Sequence, residues 1–378
     1  MKVLVICNEY PEENNLYRNG FVHRRVVNYK QSGLDSKVFV FSEESTREYE
    51  FDGVNVTTGN MQIYKNLVEF YNPDIILVHF IQKSTIDLLN STNQNIPVII
   101  WVHGVEALAW FRRLFNFKDF DFIKYIVRNT IQLFRLRNFI KDNPNKYWVF
   151  VSEWMKQIAE MDTFSTIKNY RIIPNVVDEK IFSYKEKKIE DRYRILLIRP
   201  FMSRKYANDI SVKAIVELSR RKDFDKFQIT IVGSGPLFNS TIRPLRKYDN
   251  VEIVNKFLKQ EEIKVLHDQN GIFLCPTRQD AQGVSMCEAM SSGLVPISSN
   301  NTAIPEYVNN LRTGLLSVNK PLEVAKNIER LIDDENLFLE LSYNASTDIQ
   351  SKCSSGVVIK KEIDLMEHVI SVKYGGKI

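Results

Sequence analysis

The sequence GIFLCPTRQDAQGVSMCEAMSSGLVPIS, residues 271–298, contains in order a short apolar run, a polar loop, a helix-forming segment and a second apolar run. The runs Ile272–Leu274 and Val295–Ile297 have the length of strands and are apolar on both faces. That composition is typical of parallel strands covered by helices on both sides. The order of strand, helix and strand predicts an α/β fold.

The same alternation extends outward through the chain. Seven further runs share this composition: Val3–Ile6, Val38–Phe41, Ile75–Val78, Val98–Val102, Trp148–Val151, Ile195–Ile198 and Ile229–Val232. A charged segment, Tyr184–Arg192, interrupts the alternation and is interpreted as a linker. We therefore expect two Rossmann-like domains that face each other across a cleft, an N-terminal one over 1–182 and a C-terminal one over 183–355. A last helix, 356–378, is expected to pack back across the domains.

The bulk composition is that of an ordinary soluble globular protein and does not by itself indicate nucleic-acid binding. The 378 residues carry a net charge of +5, which is modest for this length. The first apolar run is too short for a secretion signal, and no stretch approaches the ~20 apolar residues of a membrane-spanning helix. The four cysteines are scattered without a C-x-x-C pair, which indicates buried free thiols in a reducing compartment. We expect a cytoplasmic protein.

Ligands of such sheets bind beyond the carboxyl ends of the strands, so the residues that follow each strand are candidate site residues. Arg199 and Lys205 follow one strand and precede a helix, an arrangement that favours binding of a diphosphate. His103 follows another strand and suits a phosphate or a sugar hydroxyl. Gly20 opens the helix after the first strand and would let a substrate approach the backbone. Surface charge, a structural histidine and a helix cap are the alternative interpretations.

Two carboxylates bracket the start of a further helix. Asp280 precedes it and Glu288 lies within it, while the amides of Gly283, Val284 and Ser285 fall where a helix has free N–H groups. One carboxylate could hold a polyol and the other a ribose.

The stretch from Asp280 to Pro296 resembles the E-x7-E region of retaining glycosyltransferases with the GT-B fold (glycosyltransferase group 1, family 4-like). Further motifs occur in the order of that family: Gly20, His103, Pro174–Asp178, Arg199 with Lys205, Val232–Pro236, Ile304–Tyr307 and Thr313–Leu316. The resemblance spans nearly the whole C-terminal half and is thinner in the N-terminal half. One departure is Asp280, which stands where the family has glutamate and is one methylene shorter.

The resemblance implies roles for these residues. Arg199 and Lys205 would bind the donor diphosphate, and Glu288, with the amides of Gly283, Val284 and Ser285, would bind the ribose and the sugar. His103 and Asp280 would act at the reacting sugar as the catalytic residues, and no nucleophile is assigned. The resemblance further implies a retaining, metal-independent hexosyltransferase with no cofactor beyond its nucleotide-sugar co-substrate, UDP-sugar being favoured over GDP-sugar.

Two other motifs are set aside. Asp119-Phe120-Asp121 resembles the D-x-D metal motif of the other main glycosyltransferase fold, but it follows no strand and is interpreted as chance. No G-x-G-x-x-G follows the first strand, which weighs against a nicotinamide oxidoreductase.

The segment from Trp110 to Lys146 is basic and aromatic. Its Arg112, Arg113 and Arg128 are candidate contacts to an anionic membrane surface. An amphipathic core helix with a solvated basic face explains the pattern equally well. Nucleic acid is not expected, because no binding motif accompanies the segment.

Together these features predict transfer of a sugar from a nucleotide-diphosphate sugar to a glycan or lipid-linked acceptor in the synthesis of a cell-surface polysaccharide, such as a capsule, or a glycolipid. The enzyme would be cytoplasmic or peripheral on the inner face of the plasma membrane. A nucleotide-sugar epimerase of similar fold and a non-catalytic partner subunit of a glycan-assembly complex are the alternatives. The sequence leaves the linkage and the oligomeric state open.

Overall fold

The computed structural model describes residues 1–12, 18–92, 95–117, 121–373 and 375. The chain forms two compact units, of which the first comprises Met1–Arg112, Phe120–Val176 and Ser355–Ile378 and the second comprises Arg113–Asp119 and Val177–Ser354. The chain enters the second unit between Val176 and Val177, ahead of the boundary expected at residue 182. Val176 packs in the core of the first unit and Val177 in a core of the second, which fixes the crossing at this peptide bond.

The first unit is built on an eight-stranded sheet with the order β3-β4-β2-β1-β5-β6-β7-β8. All neighbouring strands are parallel except β3 and β4. The strands are β1 Lys2–Cys7, β2 Asp35–Phe41, β3 Arg47–Phe51, β4 Val54–Gly59, β5 Ile75–His79, β6 Val98–Val102, β7 Tyr147–Phe150 and β8 Tyr170–Ile172.

The second unit contains a six-stranded parallel sheet with the order β11-β10-β9-β12-β13-β14. Its strands are β9 Arg194–Ile198, β10 Gln228–Gly233, β11 Val251–Asn255, β12 Ile272–Leu274, β13 Val295–Ser299 and β14 Leu315–Ser317. Each of the nine apolar runs identified in the sequence lies on a strand of the described part of the chain, except that Val151 falls just after the end of β7, so those predictions are confirmed.

Helices connect the parallel strands in both units. They are α1 Gly20–Gln31, α2 Met61–Tyr71, α3 Lys83–Ser91, α4 Phe122–Asp142, α5 Glu153–Thr163, α6 Asn208–Leu218, α7 Phe238–Ile242, α8 Gln260–Gln269, α9 Val284–Ser291, α10 Ile304–Tyr307, α11 Pro321–Asp333, α12 Glu335–Cys353 and α13 Ser355–Lys373. Among the described residues, none of these helices is long and apolar enough to cross a membrane.

The last helix, α13, belongs to the first unit. Arg25 Nε on α1 donates to Glu362 Oε1 on α13 at 2.8 Å, and neither side chain is exposed. Tyr29 Oη donates to the other carboxylate oxygen of Glu362 at 2.5 Å. The guanidinium of Arg25 also reaches Asn175 Oδ1 and the carbonyl of Pro174, at 3.1 and 3.2 Å. A buried ion pair therefore ties the C-terminal helix to the first helix of the chain.

Candidate functional site

In the second unit, the candidate residues lie on both sides of the point where the strand order reverses. β9 and β12 are neighbours although they are not consecutive, and the order continues away from them in both directions. Arg199 follows β9, and the loop with Asp280 follows β12. Crevices at such a reversal, beyond the carboxyl ends of the strands, are where open α/β sheets bind their ligands. The topology therefore brings together two segments that are about 80 residues apart in the chain.

Arg199 and Lys205 converge on one aromatic ring. The guanidinium carbon of Arg199 lies 5.5 Å from the ring centre of Tyr206, and Lys205 Nζ lies 5.2 Å from it. The face of an aromatic ring attracts cations, so Tyr206 holds both charges in the same region. Tyr206 was not among the residues predicted from the sequence, where its position next to Lys205 was the only signal.

The Arg199 side chain is almost fully buried, with 3% exposed. One terminal nitrogen donates to the carbonyl of Cys275 at 3.1 Å, and the other lies 3.8 Å from Asp280 Oδ2. Its Nε has no hydrogen-bond partner among the described residues. A buried guanidinium with a free N–H and only a loose carboxylate partner is suited to binding an anion.

The loops after β9 and β12 are bonded to each other. The carbonyl of Lys205 accepts from the amide of Arg278 at 2.8 Å and from Thr277 Oγ1 at 3.1 Å. Arg278 itself makes a two-point ion pair with Asp209 on α6, with both distances 2.8 Å. These bonds position Lys205, and they commit Arg278 to a structural role.

A glycine turn supports the same loops. A Cβ at Gly233 would lie 2.1 Å from the Arg199 carbonyl oxygen, and one at Gly235 would lie 2.5 Å from the Phe201 carbonyl carbon. Both contacts are impossible for a side chain, so the turn after β10 needs glycine to let the Arg199 loop approach.

Asp280 shapes the start of α9. Its Oδ1 accepts from the Gly283 amide at 3.0 Å and lies 3.4 Å from the Gln282 amide. The amide of Gly283 is therefore occupied, contrary to the expectation that it faces a ligand. Gly283 has φ 81°, a left-handed conformation that favours glycine. The amides of Val284 and Ser285 follow in the first helical turn, where no intrahelical acceptor is available.

Glu288 lies one turn into α9, four residues after Val284 and thus on the same side of the helix. It is largely buried, with 8% exposed. A buried carboxylate near the positive end of a helix is a strong acceptor for paired hydroxyl groups.

In the first unit, His103 lies in an aromatic cage. Its ring centre is 4.8 Å from that of Phe21, 4.6 Å from Phe80 and 5.2 Å from His79. His79, the last residue of β5, was not singled out in the sequence. Phe80 has φ 62°, a left-handed conformation rare for a bulky residue and common at functional sites.

The two histidines are hydrogen-bonded, with 2.9 Å between His79 Nδ1 and His103 Nε2. Burial, with the charge of Arg25 adding to it, holds the pKa of His103 well below its usual value. Burial and the neighbouring His103 do the same to the pKa of His79. Both rings are therefore neutral at pH 7. The buried His103 Nδ1 has no hydrogen-bond partner among the described residues.

The backbone of the His103 loop is held by a carboxylate that the sequence analysis did not assign. Glu106 is 3% exposed, and its two oxygens accept from the amides of His103 at 2.6 Å and Gly104 at 3.0 Å. Gly20, the other candidate in this unit, begins α1, and a Cβ there would meet nothing within 4 Å. Space is therefore open beside the Gly20 backbone.

The three arginines predicted as candidate membrane contacts have different surroundings. Arg112 makes a two-point contact with Asp162, with Nε 2.7 Å from Oδ2 and Nη2 2.8 Å from Oδ1. Arg113 is partly buried and lies in the segment that clusters with the second unit, whereas Arg128 is exposed on α4. Two of the three residues of Asp119-Phe120-Asp121 lie outside the described residues. Within the described part of the chain, no group of three or more His, Cys, Asp or Glu side chains could hold a metal ion.

Comparison with known proteins shows what part of the chain is similar to. Residues 178–348 match the family described as "Glycosyl transferases group 1". The N-acetyl-alpha-D-glucosaminyl L-malate synthase of Bacillus anthracis is 26% identical over 221 residues, which make up 56% of this chain and 57% of that protein. The match thus spans little more than half the length of this curated relative.

Solved structures match nearly the whole chain. The sucrose-phosphate synthase from Thermosynechococcus elongatus has a TM-score of 0.75 at 14% identity and covers 98% of this chain and 99% of its own. Anabaena Alr3699/HepE, solved in complex with UDP-glucose, has a TM-score of 0.68 at 12% identity and covers 97% and 100%. At these identities the likeness concerns the fold, and it confirms the predicted GT-B fold class.

Proposed function

We propose that this protein, whose residues 178–348 match the glycosyltransferase group 1 family, transfers a sugar from a nucleotide-diphosphate sugar to a glycan or lipid-linked acceptor. The observation that carries the proposal is the set of groups after β9 and β12. It consists of the buried Arg199 with a free N–H, Lys205 on the same aromatic ring, and the first-turn amides of α9 beside Glu288.

The cations are matched to the leaving group. Departure of a nucleoside diphosphate builds negative charge on the bridging oxygen, and fixed cations aimed at it lower the barrier. Arg199 and Lys205 would supply this stabilisation in place of a metal ion. We further propose that transfer occurs with retention of configuration, as the resemblance to E-x7-E enzymes implies.

We assign Glu288 to the ribose hydroxyls and the amides of Val284 and Ser285 to the donor sugar. The role proposed for Asp280 is more specific than the sequence implied. Since its carboxylate holds the Gly283 amide and faces Arg199, it would position the helix start and the guanidinium for the reacting sugar. For His103 we propose a neutral hydrogen-bonding role at the reacting sugar.

UDP is the nucleotide we propose for the donor. The support is the fold shared with Alr3699/HepE, whose structure contains UDP-glucose. For the acceptor we propose a glycan or lipid-linked glycan of a cell-surface polysaccharide, such as a capsule, or a glycolipid, at the cytoplasmic face of the membrane. The name of the Bacillus anthracis relative includes L-malate, so small hydroxy acids belong in the acceptor panel.

The experiment that tests the donor site is thermal unfolding with UDP, GDP, UDP-glucose, UDP-N-acetylglucosamine and GDP-mannose, followed by donor turnover assays. A ligand at about 100 times its Kd stabilises the folded state by about 2.7 kcal/mol. Lys205→Ala should weaken UDP binding about tenfold or more, because a charge-assisted bond is lost. Glu288→Gln should abolish turnover while the protein stays folded. Lys213→Ala, an exposed lysine on α6, is the matched control and should behave as wild type.

Each alternative has its own outcome in this experiment. A shift with GDP alone would replace UDP by GDP in the proposal. Conversion of the nucleotide sugar without an acceptor would favour the epimerase. No shift with any nucleotide, from a folded sample, would remove the donor site and favour the non-catalytic partner subunit.

A further inference from the structure

The outer side of α4 carries an apolar stripe that faces solvent. Ile123, Val127, Ile131 and Phe134 are 76%, 55%, 44% and 59% exposed. At about 100° per residue, these four positions fall within an arc of about 80° on the helix. The opposite side of α4 is buried in the first unit through Leu133, Leu136 and Phe139 among others. The helix is thus apolar both toward the core and away from it.

The stripe continues onto the end of α5. Met161 and Phe164 are 61% and 77% exposed, and Phe134 and Phe164 line the same cavity of about 170 Å³. Phe164 follows α5 with φ 49°, a left-handed position where glycine or asparagine is usual. We call the six residues Ile123, Val127, Ile131, Phe134, Met161 and Phe164 the α4 face. So large an apolar cluster on a surface marks an interaction site.

A basic band borders the α4 face. Lys124, Arg128 and Arg135 are all exposed and fall within an arc of about 40° next to the stripe. Lys141, Lys146 and Lys168 line a second cavity, together with Met161 and Phe164. The exposed acids along α4 are Asp121, whose Oδ1 lies 3.2 Å from Lys124 Nζ, and Asp142. Positive charge therefore predominates beside the apolar residues.

We propose that the α4 face docks on an anionic lipid bilayer, with the apolar side chains at the acyl boundary and the basic band among the lipid phosphates. A surface helix that combines a continuous apolar stripe with a flanking row of Lys and Arg matches the layered chemistry of a membrane interface. A helix of 21 residues is about 30 Å long, enough to lie along that surface.

The charges argue for lipid rather than for a second copy of this chain. Two α4 faces in contact would bring together two basic bands of the same sign, which repel each other. Of the three arginines predicted to contact membrane, only Arg128 belongs to this band, because Arg112 is bound by Asp162. The α4 face would be the surface at which the proposed transferase meets a lipid-linked acceptor, and this part of the inference rests on the proposed function.

The test is cosedimentation of the full-length protein with vesicles of phosphatidylcholine alone and of phosphatidylcholine with phosphatidylglycerol at 3:1. We expect binding to the anionic vesicles and weaker binding to the neutral ones. This difference in binding should disappear at about 0.5 M salt, because the Debye length is then below about 5 Å. Arg128→Ser with Arg135→Ser should weaken binding to anionic vesicles by about tenfold or more. Ile131→Ser with Phe134→Ser should weaken binding to both kinds by about tenfold or more.

Matched controls come from other surfaces of the same unit. Phe70, 87% exposed on α2, provides the apolar control as Phe70→Ser. Lys65→Ser with Arg171→Ser removes two exposed charges elsewhere. Both controls should bind like wild type. Far-UV circular dichroism and melting temperature establish that each variant is folded, and the arginine variant leaves the apolar stripe untouched.

Three results would overturn the proposal. The first is that wild type stays in the supernatant with anionic vesicles, and the second is that the controls lose as much binding as the α4 variants. The third is that the α4 variants change the mass of the protein in solution while vesicle binding stays the same, which would make the face a protein contact. UDP binding by the same variants separates this inference from the donor site, since failure of vesicle binding with normal UDP stabilisation leaves the transferase proposal standing.

Discussion

The hydrogen bond between His79 and His103 makes His79 a positioning residue for His103. With both rings neutral, one N–H lies between them, so the tautomer of His79 decides whether the free Nδ1 of His103 is a donor or an acceptor. His79→Ala removes that control and one wall of the cage around His103. We expect kcat to fall by about 10–100-fold while the KM for the donor changes by less than about twofold. Steady-state kinetics on the donor and acceptor would measure both.

A purely structural role for His79 predicts a different result. In that case His79→Ala would lower the melting temperature and change KM and kcat together, and His79→Asn, which keeps a polar group at the Nδ1 position, would restore stability without activity. His103→Ala is the reference, with a larger loss of kcat and normal UDP binding.

Glu106 gives the first unit a dependence on pH. Burial raises the pKa of this carboxyl to about 6 from 4.5, although hydrogen bonds from backbone amides act in the opposite direction. The folded state therefore binds the proton more tightly than the unfolded chain. The stabilising contribution of proton binding at Glu106 to the free energy of unfolding is fully present below pH 4.5 and is lost as the pH rises through about 6.

Comparison with Glu106→Gln, which does not titrate, isolates this contribution. Between pH 5 and pH 7.5, wild type should lose about 1 kcal/mol of stability relative to the variant, as measured by urea unfolding at the two pH values. If the difference in stability between wild type and Glu106→Gln is the same at both pH values, the carboxyl of Glu106 has an ordinary pKa.

At the residue scale, the sequence located side chains that follow strands and missed their partners. Arg199, Asp280 and His103 could be proposed as site residues because the carboxyl ends of parallel strands meet at one edge of a sheet. Tyr206 and Glu106 act through the geometry of short loops, which residue type alone does not reveal. The prediction that the Gly283 amide is free was wrong for the same reason, because this amide donates a hydrogen bond to the Asp280 side chain.

At the scale of elements, α13 is held to α1 by the buried pair of Arg25 and Glu362. Glu362→Ala leaves the guanidinium buried without a counter-ion, and we expect a loss of about 3–5 kcal/mol in the free energy of unfolding. The double variant Arg25→Met, Glu362→Leu should recover most of that loss, because no unpaired charge remains. Urea unfolding of wild type and the variants would measure these losses. Equal losses in the single and double variants would show that the shape of these side chains matters more than their charge.

Among the described residues, the sequence missed five strands, and four of them, β3, β8, β11 and β14, lie at the edges of their sheets; the exception is β4, which lies between β3 and β2. β3 reads REYEF, and it pairs antiparallel with β4 at the border of the sheet. β8 and β14 have three residues each and also lie at the edges. Edge strands are covered on fewer sides, so their side chains need not form the apolar run that marks a central strand. The central strands, which position the candidate site, were therefore the predictable ones.

At the scale of the molecule, each unit has its own sheet and core, and the sequence indicated two domains by the gap in its alternation. The charged segment Tyr184–Arg192 suggested the position of the boundary, whereas the packing of Val176 and Val177 decides it. Contacts made after folding are not visible in local composition. The same limit applies to residues 113–119, which cluster with the second unit although they lie far from it in sequence.

The tryptophans allow the two units to be followed separately. All four, Trp101, Trp110, Trp148 and Trp154, lie in the first unit, whereas the proposed diphosphate site lies in the second. A ligand raises the stability of the unit that binds it by mass action. Tryptophan fluorescence follows the unfolding of the first unit alone. We therefore expect saturating UDP to raise the melting temperature of the second unit, as measured by calorimetry, and to leave the melting temperature measured by tryptophan fluorescence unchanged. Lys205→Ala should remove the UDP-dependent rise measured by calorimetry, and the transition measured by tryptophan fluorescence should again be unaffected by UDP. An equal rise of both transitions would mean that the units unfold as one, or that UDP also binds the first unit. His103→Ala distinguishes these cases, because it would lower the rise only if the first unit takes part in binding.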